Sequence, residues 1–184
     1  MSEIKTKEIS LGFVPTMGSL HAGHGFLLKQ AKKAADYVVL SIFVNPTQFN
    51  EPTDFESYPN ALEKDLDLAR SLGVDLVFAP QTADLYEGIP SVEAIDYGAL
   101  TGLYEASKRQ GHFDGVVAVV KRLFKVVTPD LAFFGEKDLQ QLAVVRELVR
   151  REFNGLQVVA CPLIRDAKGC LLYTSPSPRD FEAS

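Results

Sequence analysis

The stretch VPTMGSLHAGHGFLLKQA, residues 14–31, leaves a β-like run through Pro15, Gly18 and Ser19 and turns helical, with His21 and His24 three residues apart at the change. It follows the short apolar run ISLGFV, so it reads as a strand-to-helix turn, with a helix from about Ala22 to Ala35. At such a turn the unpaired N–H groups and partial positive charge of the helix N-terminus favour a phosphate. Gly18 and Gly23 let the backbone approach it. Both imidazoles can donate hydrogen bonds to phosphate oxygens, and either can carry the positive charge that becomes useful as an anionic group departs. The alternative is a helix start with two solvated histidines. Of the three histidines in the chain, two fall at this one strand end, which favours a site.

Outward from this turn, brief apolar runs alternate with amphipathic ones. ISLGFV, YVVLSIFV, VDLVFA, LAFFG and LQVVA are short, β-branched or aromatic, and bounded by Gly, Pro or Asn, as buried parallel strands are. Between them the period lengthens. Leu62, Leu66 and Ala69 share one helical face, as do Val116, Val119, Val120, Leu123 and Val127, and Leu142, Val145 and Val149. Pro59 is expected to open the first of these helices, and Gly73 follows it. Strand and helix in alternation predict an α/β layer fold with a largely parallel sheet flanked by helices, whose ligands sit beyond the carboxyl ends of the strands.

The 184 residues suit one domain, burying about 70% of the unfolded surface. Hydrophobic residues make up 46% and charged ones 23%, and the formal charge of −5 argues against a protein that grips nucleic acid by its phosphates. Cys161 and Cys170 lack the spacing of a zinc site or a redox dithiol, which fits a reducing cytoplasm. The first ten residues, MSEIKTKEIS, hold no apolar leader core, and YVVLSIFV is too short to span a membrane.

Two further stretches close predicted strands. Asn45-Pro46-Thr47-Gln48-Phe49-Asn50 is by itself a proline-punctuated turn, but Asn45 and Gln48 also bring donors and acceptors suited to a small substrate's hydroxyl and carboxylate. In Phe134-Gly135-Glu136-Lys137-Asp138-Leu139-Gln140-Gln141, Asp138 and Gln141 read as an N-cap and its capping-box partner. A cap does not require Lys137, which stands as a point charge for phosphate. Arg109-Gln110-Gly111-His112-Phe113 reads as a flexible basic loop able to close over a site.

Taken together, FVPTMGSLHAGH, FVNPTQF, RQGHFDGVVAVV and FFGEKDLQQL resemble, in order and approximate spacing, the pantoate-β-alanine ligase family of the HxGH nucleotidylyltransferases, over about Leu11 to Gly169. The resemblance implies a Rossmann-like nucleotidylyltransferase fold and ligation of pantoate to β-alanine through a pantoyl adenylate, with release of pyrophosphate and AMP. It implies an ATP site of Met17, Gly18, Ser19, Leu20, His21, Ala22, Gly23 and His24 together with Gly135, Glu136, Lys137, Asp138 and Ile164. His24, His21 and Lys137 would do the chemistry; Gln48 and Gln141, with Asn45, would hold pantoate, Gln48 also meeting β-alanine. Mg2+ would enter with the nucleotide and no metal would be held by protein ligands alone. A cytoplasmic homodimer without nucleic-acid or membrane partners is implied as well.

The sequence departs from that pattern at its ends. Residues 1–169 are expected to form the ATP- and pantoate-binding domain. Where the family continues with a Ser-Ser-Arg segment on the ATP phosphates, this chain reads Cys170-Leu171-Leu172-Tyr173-Thr174-Ser175-Pro176. Residues 170–184 are therefore expected to be a disordered or foreign tail, with the smaller C-terminal domain missing and activity impaired. Another HxGH nucleotidylyltransferase and a non-catalytic nucleotide-binding remnant are the alternatives.

Overall fold

Five apolar segments, separated by crossovers long enough to return the chain to the same edge, pair side by side in one direction. In the computed structural model these are β1 (Leu11–Thr16), β2 (Tyr37–Ile42), β3 (Leu76–Phe78), β4 (Leu131–Gly135) and β5 (Gln157–Cys161). All pairings are parallel, in the order β3-β2-β1-β4-β5. The structure describes residues 9–49, 53, 55, 57–59, 61–86, 92–102 and 111–163. The expectations for Arg109, Gln110, Ile164 and residues 170–184 lie outside them.

The longer helices cover the sheet: α1 (Ala22–Ala34), α2 (Leu62–Ser71), α3 (His112–Val127) and α4 (Leu139–Glu152). Because side chains alternate along a strand, the sheet buries two separate faces. Val14, Val38, Leu40 and Phe133 meet Leu28 and Ala31 of α1 and Ala69 of α2. Phe13, Val39, Ala132 and Phe134 meet the apolar stripes of α3 and α4, including Val116, Leu123, Val145 and Leu148. The predicted stripe on α2 is corrected. Leu62 is 38% exposed whereas Asp65, a carboxylate, is 3% exposed beside Ala69. Nor does Pro59 open this helix, whose N-cap is Ala61.

The strand order reverses direction between β1 and β4, and there the two strands part. Alternate residues of β1 turn their main chain toward β4: Leu11 does so, accepting from Asp130 N–H at 2.9 Å, and Thr16 faces β2 instead, accepting from Phe43 N–H at 3.0 Å. Pro15 is thus the next residue due to donate to β4, and it has no N–H. The β1–β4 register ends at Phe13↔Ala132, while β1 stays paired with β2 as far as Thr16↔Ile42. A crevice opens at the carboxyl ends of β1 and β4, the switch point where open α/β sheets bind ligands.

Candidate active site

Beyond Pro15 the chain must turn sharply to enter α1. Gly18 and Ser19 both take left-handed conformations, with φ of 84° and 51°. For glycine this carries no Cβ penalty, and a Cβ at Gly18 would stand 3.0 Å from Asp65 Oδ2 and 3.1 Å from Ile42 Cγ2. For Ser19 it is strained, and hydrogen bonds hold it. Asp65, reaching across from α2, accepts from Ser19 N–H at 2.8 Å and from Leu20 N–H at 2.7 Å. Ser19 Oγ donates to Pro59 O at 3.1 Å.

The spacing of the two histidines now has a local cause. His21 is the N-cap of α1, its Nδ1 accepting from Gly23 N–H at 3.0 Å, and His24 at N3 returns the bond, its Nδ1 accepting from His21 N–H at 3.3 Å. This is a capping box in which imidazoles take the places usually held by Ser/Thr and Glu/Gln. The rings lie against each other at a tilt of 37°, with centroids 4.1 Å apart. With both Nδ1 atoms accepting, each neutral ring carries its proton on Nε2. Burial, then His21, then Lys137 lowers the His24 pKa to about 3. Burial and then Lys137 lower that of His21. At neutral pH both resting rings are therefore uncharged, and the positive charge beside them is the Lys137 ammonium.

Lys137 comes from the other wall of the crevice. Gly135 ends β4 opposite Cys161, and Glu136–Asp138 form one 3-10 turn before α4. Asp138 occupies the N-cap position of α4 but its side chain makes no capping bond to the helix, so the predicted capping box with Gln141 does not form. Its ψ of 73° departs from the extended N-cap geometry. Gln141 stays half-buried in the first turn of α4, while its neighbour Gln140 is tied to Leu100 O at 2.9 Å.

At the end of β2, Asn45 is a structural anchor. It is fully buried, its Nδ2 donating to Gly115 O at 3.1 Å and its Oδ1 accepting from Thr47 N–H, Thr47 Oγ1 and Tyr86 OH at 3.3, 3.0 and 2.9 Å. Both ends of its amide are used. Pro46–Gln48 form a 3-10 turn on this anchor, with Gln48 half-buried. Of the basic loop expected over 109–113, His112 and Phe113 are instead buried in the first turn of α3, while Arg109 and Gln110 lie outside the described residues.

The residues brought together at the β1 and β4 ends are thus Met17 to His24 and Gly135 to Asp138; Ile164 lies outside the described residues. Asp65, Tyr86 and Gly115 were not foreseen. For Asp65 the sequence held a signal, a carboxylate inside the apolar stripe of LEKDLDLAR, whereas Tyr86 and Gly115 gave none. The donor groups at the crevice are imidazole N–H and an ammonium, since the main-chain N–H groups of Ser19, Leu20, His21 and Gly23 are taken up within the turn. They suit a polyphosphate. Among the described residues no group of three or more His, Cys, Asp or Glu side chains could hold a metal ion, and no helix is long and apolar enough to cross a membrane.

An all-parallel sheet with a histidine-capped helix at its switch point defines an α/β protein of the nucleotidylyltransferase type. The chain belongs to the pantoate-beta-alanine ligase family, whose model matches residues 1–175. It is 47% identical over 169 residues to the pantothenate synthetase of Cytophaga hutchinsonii, covering 92% of this chain and 59% of the relative. To that of Acinetobacter baylyi it is 45% identical over 172 residues, covering 94% and 61%. The chain thus spans about three fifths of the length of these relatives. The crystal structure of pantothenate synthetase from Thermus thermophilus matches with a TM-score of 0.85 at 43% identity, over 100% of this chain and 66% of that one. A pantoate-beta-alanine ligase from Francisella tularensis, complexed with beta-gamma ATP and beta-alanine, matches with a TM-score of 0.86 at 38% identity, over 97% and 67%.

Proposed function

We propose that this chain carries the ATP- and pantoate-binding half of pantoate-β-alanine ligation. The pantoate carboxylate attacks the α-phosphorus of ATP, pyrophosphate leaves, and the amine of β-alanine then displaces AMP from the pantoyl adenylate to form the amide. The observation that carries the reading is the approach of Lys137, from the β4 end, to the His21 and His24 imidazoles at the start of α1, at the switch point of the sheet. Such preorganised donors stabilise charge on a departing pyrophosphate without prior reorganisation. Met17 to His24 and Gly135 to Asp138 line the nucleotide, with Ile164 toward adenine. Gln48 and Gln141 hold pantoate, and Gln48 also meets β-alanine. Mg2+ enters with the triphosphate, since the donor set offers a bare cation no cage. The family resemblance extends the proposal to a cytoplasmic homodimer, which light scattering on the full chain tests.

Single-turnover assays test the reaction. Pyrophosphate release is expected to depend on pantoate, and AMP release on the later addition of β-alanine. Pyrophosphate release that is indifferent to pantoate, or equal with unrelated carboxylic acids, would overturn the reading.

A further inference from the structure

The third histidine is absorbed by none of this chemistry, yet it touches the turn that carries Gln48. We infer that His112 is a positioning residue that fixes Gln48 for pantoate by seating the Pro46–Gln48 turn on the first turn of α3. This rests on the assignment of Gln48 to pantoate. His112 is 7% exposed, and its Nδ1 lies 3.2 Å from the Gln48 carbonyl oxygen. A carbonyl can only accept, so Nδ1 carries the proton. The other main-chain group of Gln48 is held too, its N–H donating to Asn45 O at 3.2 Å. With the N–H and the C=O of one residue both fixed, the direction of its Cα–Cβ bond is fixed as well.

Two further contacts make the seat rigid. A Cβ on Gly115 would fall 2.3 Å from Thr47 O, so helix and turn meet backbone to backbone. Asn45 Nδ2 bridges to Gly115 O at 3.1 Å. A side chain presented from a held backbone has less freedom to lose when ligand arrives, so the seat contributes affinity without touching the ligand.

Calorimetric titration of the full chain reads this directly, with pantoate titrated in the presence of a non-hydrolysable ATP analogue and the analogue titrated alone. His112→Ala is expected to weaken pantoate about 5- to 10-fold, the scale of one lost hydrogen bond, and to leave the analogue within about 2-fold. In His112→Asn the amide nitrogen takes the place of Nδ1, and pantoate affinity is expected to return to within about 2-fold of the parent. In His112→Gln the amide nitrogen reaches the Nε2 position instead, so this variant should resemble His112→Ala. Equal losses for both ligands, or failure of His112→Asn to restore pantoate binding, would reduce His112 to a packing residue and overturn the inference. Gln48→Ala separates the two levels. If it weakens pantoate while His112→Ala does not, the inference alone falls. Should Gln48→Ala leave pantoate unaffected, the assignment of Gln48 falls and the inference with it.

Discussion

At His24 one side chain closes the capping box of α1 through Nδ1 and, under the proposed function, also donates from Nε2–H to the departing pyrophosphate. Substitution separates the two roles. His24→Gln keeps a side chain able to reach back to the N-cap N–H, so stability should change by no more than about 0.5 kcal/mol, whereas His24→Ala gives up about 1 kcal/mol with the cap. Both should lower the single-turnover adenylation rate about 100-fold, as loss of a preorganised donor does. Unaltered adenylation in His24→Gln would remove this residue from the chemistry. Asp65 is the converse case, a buried carboxylate that braces the strained Ser19 turn. Asp65→Asn turns an N–H donor toward one of two main-chain N–H groups, so it should cost about 2 kcal/mol in urea unfolding and slow adenylation as well. A variant as stable as the parent would show that Ser19 and Leu20 hold their turn unaided.

The elements meet where side chains are absent. α3 approaches the Pro46–Gln48 turn closely enough that Gly115→Ala places a methyl against Thr47 O, 2.3 Å away. Alanine favours a helix over glycine by about 1 kcal/mol, but overpacking against main chain costs about 1 to 3 kcal/mol, so a net loss of stability is expected from urea midpoints. A neutral or stabilising Gly115→Ala would mean that helix and turn slide apart freely. The strands show the same dependence on one residue. Pro15, by withholding a single N–H from β4, sets how far up the sheet the crevice reaches.

For the whole molecule, the depressed histidines tie stability to pH. An unfolded histidine takes up a proton near pH 6.5, while folded His24 does so only near 3, so the unfolded state binds more protons in between. Stability contributed by neutral His24 is present above pH 6.5 and is lost as pH falls toward 3. The slope approaches about 1.4 kcal/mol per pH unit between the two pKa values. Glu147, lowered to about 2 by Arg150 and Arg151, works in the same direction at lower pH. Urea unfolding between pH 7 and 5.5 isolates the histidines. His24→Gln should flatten that profile, and a profile as steep as the parent's would place the proton uptake elsewhere.

The strands, the parallel α/β class and the strand-to-helix turn were legible in the order of residues, because period and punctuation are local properties of chain neighbours. Val116, Val119, Val120, Leu123 and Val127 announce the buried face of α3, and all five are buried. The motifs His21 to His24 and Gly135 to Asp138 were equally legible as strand-end stretches. Which partners those residues meet was settled only by the packing of the elements. Asp65 stands out in its apolar stripe, but its partner is named only when α2 packs against the Ser19 turn, 46 residues away in sequence. That Asn45 also anchors its turn shows only when Gly115 and Tyr86 meet the two ends of its amide. His112 looks like part of a mobile loop until Gln48 meets it across 64 residues. The charge state of His24 likewise came from burial and from neighbours supplied by two strands. A residue's own chain neighbours set its backbone path, but desolvation and hydrogen-bond partners come from segments distant in sequence, and these decide what a side chain is free to do.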